Sequence, residues 1–119
     1  MSWSYCISTQ QITWNGSFVG LGYSGTGEGR NNVAMADVPD VGPTPPGAYA
    51  IGPAYDDPHL GPCVMHLDPK EGTETFGRSL FRIHGNNAAN DASHGCIIAD
   101  HAMRVQISQS NDTTMLVLP

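Results

Sequence analysis

Ser79-Leu80-Phe81-Arg82-Ile83-His84 is the stretch that does most to decide the fold of this 119-residue chain. Successive side chains of a β-strand point to opposite faces. Phe81 and Ile83 are therefore predicted to face a core, while Arg82 and His84 share the other face. The stretch predicts a strand that carries a basic side chain and an imidazole together at its C-terminal end.

Short apolar runs separated by turn residues surround this strand. Asn15-Gly16 lies between two of them and is a strong hairpin signal. The runs predict further strands over 3–8, 11–14, 17–23, 48–51, 61–67 and 114–118. Asp100 is suited to cap one short helix that contains Ala102, Met103 and Val105. We predict an all-β fold, mainly β with one short helix, and a single domain over residues 1–119.

The composition supports this fold class and excludes one class of partner. Hydrophobic residues make up 39% of the chain and charged residues only 13%, and 14 Gly and 9 Pro favour many turns. The net charge is −6, and Lys70 is the single lysine. A nucleic-acid surface needs clustered Lys and Arg, so we expect no nucleic-acid partner.

The start of the chain, Met1-Ser2-Trp3-Ser4-Tyr5, lacks the basic stretch and long apolar run of a signal peptide. No apolar window approaches the roughly 20 residues needed to span a bilayer. We expect a protein made in the cytoplasm without a signal peptide and without membrane insertion.

Cys96 is the cysteine with the most reactive surroundings. Cys6 and Cys63 could be joined in an oxidising compartment or could be small buried hydrophobic residues. Cys96 instead follows Ser93-His94-Gly95 in a polar loop. A thiol needs a nearby base and backbone N–H groups directed at a developing oxyanion.

His84 is the predicted base, because the polar loop 85–93 is long enough to fold back and bring Cys96 to it. The carbonyl of Gly85 or a nearby Asn could hold the imidazole tautomer. The alternatives are a buried structural thiol and a zinc set made of His84, His94, Cys96 and His101. No Cys-x-x-Cys or His-x-x-x-His spacing is present, so we predict no metal and no cofactor.

These motifs resemble the L,D-transpeptidase (YkuD-type) catalytic domain. The residues that carry the likeness are His84, Ser93-His94-Gly95-Cys96, Tyr23-Ser24-Gly25 and Pro43-Thr44-Pro45-Pro46-Gly47-Ala48-Tyr49-Ala50-Ile51. Within that superfamily the chain is most similar to compact effectors of bacterial type VI secretion, in its start, its Asn31-Asn32 pair and its segment 77–85. The resemblance covers essentially the whole chain and implies a YkuD-like β-sandwich.

The resemblance also implies a role for each site residue. Cys96 would attack the meso-diaminopimelate carbonyl of a peptidoglycan tetrapeptide stem and release D-Ala. His84 would accept the thiol proton, and His94 would shape the site. Gly95 and the Cys96 amide would contribute to the oxyanion hole. Ser93 and Gly85 are further candidates for substrate or oxyanion binding. Water, a D-amino acid or a second stem would then resolve the thioester.

One position departs from the family pattern. Larger L,D-transpeptidases usually carry an arginine two positions after the cysteine, where this chain has Ile98. Arginine suits bidentate binding of a carboxylate, so Arg82 and then Arg104 are the predicted substitutes. A non-catalytic cell-wall-binding module on the same scaffold remains the rival function.

The resemblance implies a biological setting as well. It predicts an antibacterial toxin that leaves the producing cell through a secretion apparatus and acts on peptidoglycan in the periplasm of target cells. A cognate immunity protein would be a second partner.

Overall fold

The computed structural model describes residues 2–119, so Met1, the first residue of the start compared above, lies outside the described part. These described residues form ten strands, one α-helix and two short 3₁₀ turns at Gly27–Gly29 and Val33–Met35. The strands and the helix are β1 (Trp3–Cys6), β2 (Gln11–Trp14), β3 (Ser17–Leu21), β4 (Tyr23–Ser24), β5 (Gly47–Ile51), β6 (Tyr55–Asp57), β7 (Gly61–Pro69), β8 (Arg82–His84), β9 (Ile97–Ile98), α1 (His101–Gln109) and β10 (Thr114–Leu118).

All ten strands belong to one curved sheet. Their order is β3-β2-β1-β10-β5-β7-β8-β9-β4, with β6 paired to β7 off this path. The two ends of the path, β3 and β4, are consecutive in the chain and separated only by Gly22. A Cβ on Gly22 would lie 2.5 Å from the Ile98 carbonyl oxygen, so only glycine fits there. The sheet therefore curls until its two ends meet, and the predicted all-β single domain is confirmed.

The core fills the inside of this curved sheet. Trp3, Tyr5, Tyr49 and Met65 are among its fully buried side chains. Helix α1 packs against β7, and Asp100 caps it by accepting a hydrogen bond from the Met103 amide at 2.8 Å. No helix in the described chain is long and apolar enough to cross a membrane.

Three predicted strands are shorter or divided in the structure, and the first of them, predicted over 3–8, ends at Cys6. Leu80 adopts a left-handed φ of 63°, so the strand predicted over 79–84 is extended only from Arg82. Its face alternation is nevertheless confirmed, since Phe81 and Ile83 are buried in the core. The strand predicted over 17–23 is divided at Gly22 into β3 and β4. Cys6, Cys63 and Cys96 are all free thiols, so Cys6 and Cys63 are not joined.

Candidate active site

Two short parallel strands, β8 and β9, bring the candidate residues together. Ile83 pairs with Ile97 and His84 with Ile98. Cys96 precedes Ile97 by one residue, so it lies beside Arg82, the residue before Ile83. Because both central isoleucines are fully buried, the polar side chains on either side of them are held on a rigid base at the sheet surface.

A cleft of about 420 Å³ opens over these strands. Five predicted site residues line it, namely Arg82, His84, His94, Gly95 and Cys96. Its other walls come from Pro39 and Asp40, from Leu60, from residues 77–81 and from Ala92. A second hollow of about 320 Å³ shares His84 and His94 with the cleft and continues past the Asn-rich loop. The two together form a groove that passes His84 on both sides.

His84 is held with one ring nitrogen engaged and the other available. Its Nδ1 lies 2.9 Å from the Gly85 carbonyl oxygen, and because a carbonyl only accepts, Nδ1 carries the proton. Burial of this 3%-exposed side chain lowers its pKa, and the charges of Arg82 and Arg104 lower it further. The ring is therefore neutral at physiological pH, with the electron pair on Nε2 free to accept a proton.

The Cys96 sulfur is half-buried, and opposing influences act on its proton. Burial raises the pKa of the thiol, while a backbone hydrogen bond from Arg82 and the charges of Arg82 and Arg78 lower it. The sulfur lies 3.8 Å from the Leu80 carbonyl oxygen, to which the thiol donates. In the resting site the sulfur is a thiol with two guanidinium groups nearby.

Buried hydroxyl groups hold the loop that carries Cys96. The Ser93 Oγ donates to the Cys96 carbonyl at 2.7 Å and accepts from the amides of Gly25 at 2.9 Å and Gly95 at 3.2 Å. Ser93 is fully buried. It therefore supports the nucleophile's backbone and does not line the cleft. The Gly95 N–H, predicted to serve the oxyanion hole, is used in this support, which leaves the Cys96 amide as the candidate donor.

Residues 20–117 match the family model of the Tlde1 domain. The chain belongs to the Tlde1 domain family. This domain is a type VI secretion effector domain, and membership implies a secretion apparatus and an immunity protein as partners. The matched range contains every residue that lines the cleft. No curated protein sequence gave a significant match.

Two buried hydroxyl groups of the Tlde1 domain, on Ser24 and Thr44, support the site but were not predicted as site residues from the sequence. The Ser24 Oγ donates to the Cys96 carbonyl at 2.8 Å and accepts from the Thr44 amide at 2.8 Å. The Thr44 Oγ1 in turn donates to the Gly95 carbonyl. Both residues stood in motifs that the resemblance singled out, and this support of the 93–96 loop is the physical reason for their presence there.

Arg78 was also missed: it stands in the segment 77–85 that carries part of the resemblance, but no role in the site was predicted for it. Its guanidinium donates to the carbonyls of Ala36 at 2.6 Å, Pro43 at 2.8 Å and Gly42 at 3.0 Å. A Cβ on Gly95, which has a φ of 127°, would lie 2.4 Å from it. Arg78 thus fastens the 36–43 loop against the cysteine loop, and Gly95 is the residue that lets it approach.

The structure places Arg104, the second predicted carboxylate ligand, away from the cleft. It is buried in α1, and its guanidinium donates to the carbonyls of Ala99 and Pro62. A Cβ on Gly85 would lie 2.7 Å from the same group. Arg104 is therefore held by backbone carbonyls outside the cleft, while Gly85 lines the second hollow beside His84. Of the two predicted arginines only Arg82 lines the cleft.

His94 is the predicted site residue with the greatest exposure, and it lies at the boundary between the cleft and the second hollow. His101 begins α1 and is exposed to solvent. Within residues 2–119, no three His, Cys, Asp or Glu side chains converge in an arrangement that could hold a metal ion.

Proposed function

We propose that this Tlde1 domain is a cysteine L,D-carboxypeptidase or L,D-transpeptidase that trims or exchanges the terminal D-Ala of peptidoglycan tetrapeptide stems. The observation that carries the proposal is the pairing in one cleft of a thiol and a neutral imidazole whose Nδ1 is tied to the Gly85 carbonyl. A thiol nucleophile needs such a base, and the base needs a third group to orient it.

In the acylation step, His84 Nε2 takes the proton from the Cys96 thiol as the sulfur attacks the meso-diaminopimelate carbonyl. A bond forms between sulfur and carbon, and the carbonyl oxygen takes up negative charge. The Cys96 amide is the proposed donor to that oxygen. When the tetrahedral intermediate breaks down, His84 returns the proton to the leaving amine and D-Ala departs.

In the second step an acceptor resolves the thioester. Water attack gives a tripeptide stem, and attack by the amine of a free D-amino acid gives an exchanged tetrapeptide. His84 takes the acceptor's proton and passes it to the sulfur as the carbon–sulfur bond breaks. The two hollows beside His84 support this two-substrate reaction, because they provide separate room for the stem and the acceptor.

Arg82 is the proposed cationic residue for the substrate carboxylate, since Ile98 stands where larger relatives of the resembled family carry arginine. Ile98 is buried, and Arg82 lines the cleft from the neighbouring strand. The delivery route of the Tlde1 family supports action in the periplasm of target bacteria. The peptidoglycan stem would be the substrate there.

The test is incubation of the purified protein with disaccharide tetrapeptides, followed by mass spectrometry of the products. Cys96→Ala should abolish the loss of D-Ala, because it removes the attacking atom. Cys63→Ala is the matched control, since Cys63 is also a half-buried free thiol and lies outside the cleft. It should leave product formation unchanged.

Adding a D-amino acid distinguishes hydrolysis from exchange by the mass of the tetrapeptide that forms. Binding of tetrapeptide with no change in its mass would overturn the enzyme assignment and favour a wall-binding module. An equimolar amount of zinc that survives dialysis would instead favour the metal site.

A further inference from the structure

The guanidinium of Arg82 has an unusual combination of neighbours. It lies on the strand beside Cys96 and lines the same cleft. Its NH1 is 3.9 Å from the Asp57 carboxylate. Its Nε is the one buried polar side-chain atom of residues 2–119 without a hydrogen-bond partner. A buried donor left unpaired costs stability, so a group with negative charge is the partner this nitrogen is suited to receive.

Neither of the other two basic side chains near the sulfur, Arg78 and His84, is available to pair with a sulfur anion. The Arg78 guanidinium donates its N–H groups to three carbonyls of the 36–43 loop. His84 is neutral in the resting site, because burial and two nearby guanidinium groups lower its pKa. A sulfur anion at Cys96 would therefore meet only one cation with an unused donor, and that cation is Arg82.

Other ionisable groups face this pair from the surrounding elements. Strand β6 contributes Tyr55, which lies against the Arg82 guanidinium and raises its pKa, and Asp57. The loop walls of the cleft contribute Asp40 and His94. His66 lies across from Arg82 on β7, where its ring stacks on Tyr55 at 5.1 Å. None of these is a permanent cation, so the balance at the sulfur rests on the two arginines.

We propose that Arg82 is a catalytic residue that stabilises the Cys96 thiolate, with Asp57 as the residue that positions its guanidinium. This rests on the proposed function for the identity of the nucleophile. In the first step the S–H bond breaks, the proton moves to His84 Nε2, and the electron pair stays on the sulfur beside Arg82. When the thioester is resolved, the carbon–sulfur bond breaks and the pair returns to the same place before reprotonation.

Asp57 is suited to the positioning role because its own carboxylate is fixed. Its Oδ1 accepts hydrogen bonds from the amides of His59 at 2.8 Å and Leu60 at 3.0 Å. Those two bonds lower its pKa, so it remains charged at neutral pH. Its Oδ2 is left to face Arg82. The carboxylate therefore lies at ion-pair distance from one end of the guanidinium, and the Arg82 Nε remains unpaired.

The experiment measures the rate of iodoacetamide alkylation of Cys96 across pH, read from the Cys96 peptide by mass spectrometry so that Cys6 and Cys63 do not interfere. Arg82→Gln should move the midpoint upward by about one pH unit and lower the rate at neutral pH about tenfold. Arg82→Lys should recover part of the shift, since it keeps the charge. Lys70→Gln is the control, because it removes an exposed cation that bonds Thr114 and lines neither hollow, and it should leave the midpoint in place.

Asp57→Asn distinguishes a positioning role of Asp57 from a direct effect of its negative charge on the thiol. If only the charge mattered, its removal would lower the midpoint of Cys96 alkylation. If Asp57 positions Arg82, the midpoint should rise instead, because the guanidinium loses its anchor. An unchanged midpoint in Arg82→Gln, in a protein whose circular dichroism and melting temperature match wild type, would overturn the proposal. A lowered midpoint in Asp57→Asn would overturn the role of Asp57.

The outcome is independent of the substrate, because alkylation needs no peptidoglycan. A raised midpoint in Arg82→Gln supports the thiolate role even if tetrapeptides are not trimmed, in which case only the proposed function falls. An unchanged midpoint in Arg82→Gln, alongside normal trimming by the wild type, would overturn the role of Arg82 in stabilising the thiolate. The proposed function would then still stand.

Discussion

Two sets of polar residues surround Cys96, and they are built in opposite ways. The hydroxyl network of Ser24, Thr44 and Ser93 is neutral, buried and fully hydrogen-bonded, and all its partners are backbone groups or each other. The charged face, made of Arg82 and His84 with Asp57 beside them, leaves a donor and a ring nitrogen unpaired.

The difference shows how the site divides its work. A satisfied buried hydroxyl fixes backbone geometry, since breaking any one bond leaves an unpaired group in a low-dielectric interior. An unsatisfied cation or ring nitrogen stabilises little in the resting fold but is ready to meet a charge or proton during reaction. The network should therefore control stability, and the charged face should control chemistry.

The largest expected effect is on the charged face. His84→Gln should lower the rate of D-Ala release by about 10²–10⁴-fold, the usual contribution of a positioned general base. Gln can still donate to the Gly85 carbonyl, so the fold should persist. Product formation by mass spectrometry is the measurement.

His94→Gln is the companion variant, because His94 lines the same cleft but is exposed. It should cause a smaller loss of rate than His84→Gln. A near-normal rate in His84→Gln would show that His84 is not the general base. The charged face would then not control the chemistry.

The second effect is on the hydroxyl network. Ser93→Ala leaves the buried amides of Gly25 and Gly95 without their acceptor and should cost on the order of 2–4 kcal/mol of unfolding free energy. Urea denaturation measures this. Ser79→Ala, at an exposed position, is the matched control and should change stability little. A Ser93→Ala protein as stable as wild type would show that the network is dispensable.

A third and smaller effect sharpens the role of one hydroxyl. Thr44→Val keeps the side-chain shape but removes the donor to the Gly95 carbonyl, and we expect a loss of about 1–3 kcal/mol. Thr44→Ser retains the hydroxyl and should lose less. If Ser and Val destabilise the domain equally, the lost methyl packing and not the hydrogen bond is responsible.

The smallest effect is a pH dependence of stability from His84. Its pKa is lowered in the fold by burial, so the unfolded chain binds the proton more readily. Stability should therefore decline as the pH falls below about 6.5, by up to about 1.4 kcal/mol for each unit of lowering. Melting temperatures of wild type and His84→Gln across pH 5–8 test this. The decline should be weaker in the variant, and an identical decline would assign it to other groups.

Much of this architecture could be predicted because it depends on local sequence. The Asn15-Gly16 hairpin, the strand at 114–118 and the Asp100 cap rest on neighbouring residues, and each is found where predicted. The alternation of Phe81, Arg82, Ile83 and His84 survived even though the strand itself is short.

What the sequence did not indicate depends on contacts between distant segments. β9 is only two residues long, too short to show a pattern, and it forms because β8 and β4 flank it. Arg78 acquires its role from three carbonyls in a loop some 40 residues earlier. Arg104 was predicted to bind the substrate carboxylate, but it is buried and donates to backbone carbonyls of distant segments. Such roles arise from packing between distant segments, so no short stretch of sequence predicts them.

The curling of the sheet has a consequence for when this protein becomes reactive. The bonds that hold the Cys96 loop join it to Ser24 and Thr44, which are 72 and 51 residues away along the chain. Contacts between such distant segments are slow to form during folding. A partly folded chain would contain the cysteine and the histidine but not the assembled site, so complete folding would itself act as the switch that turns the chemistry on.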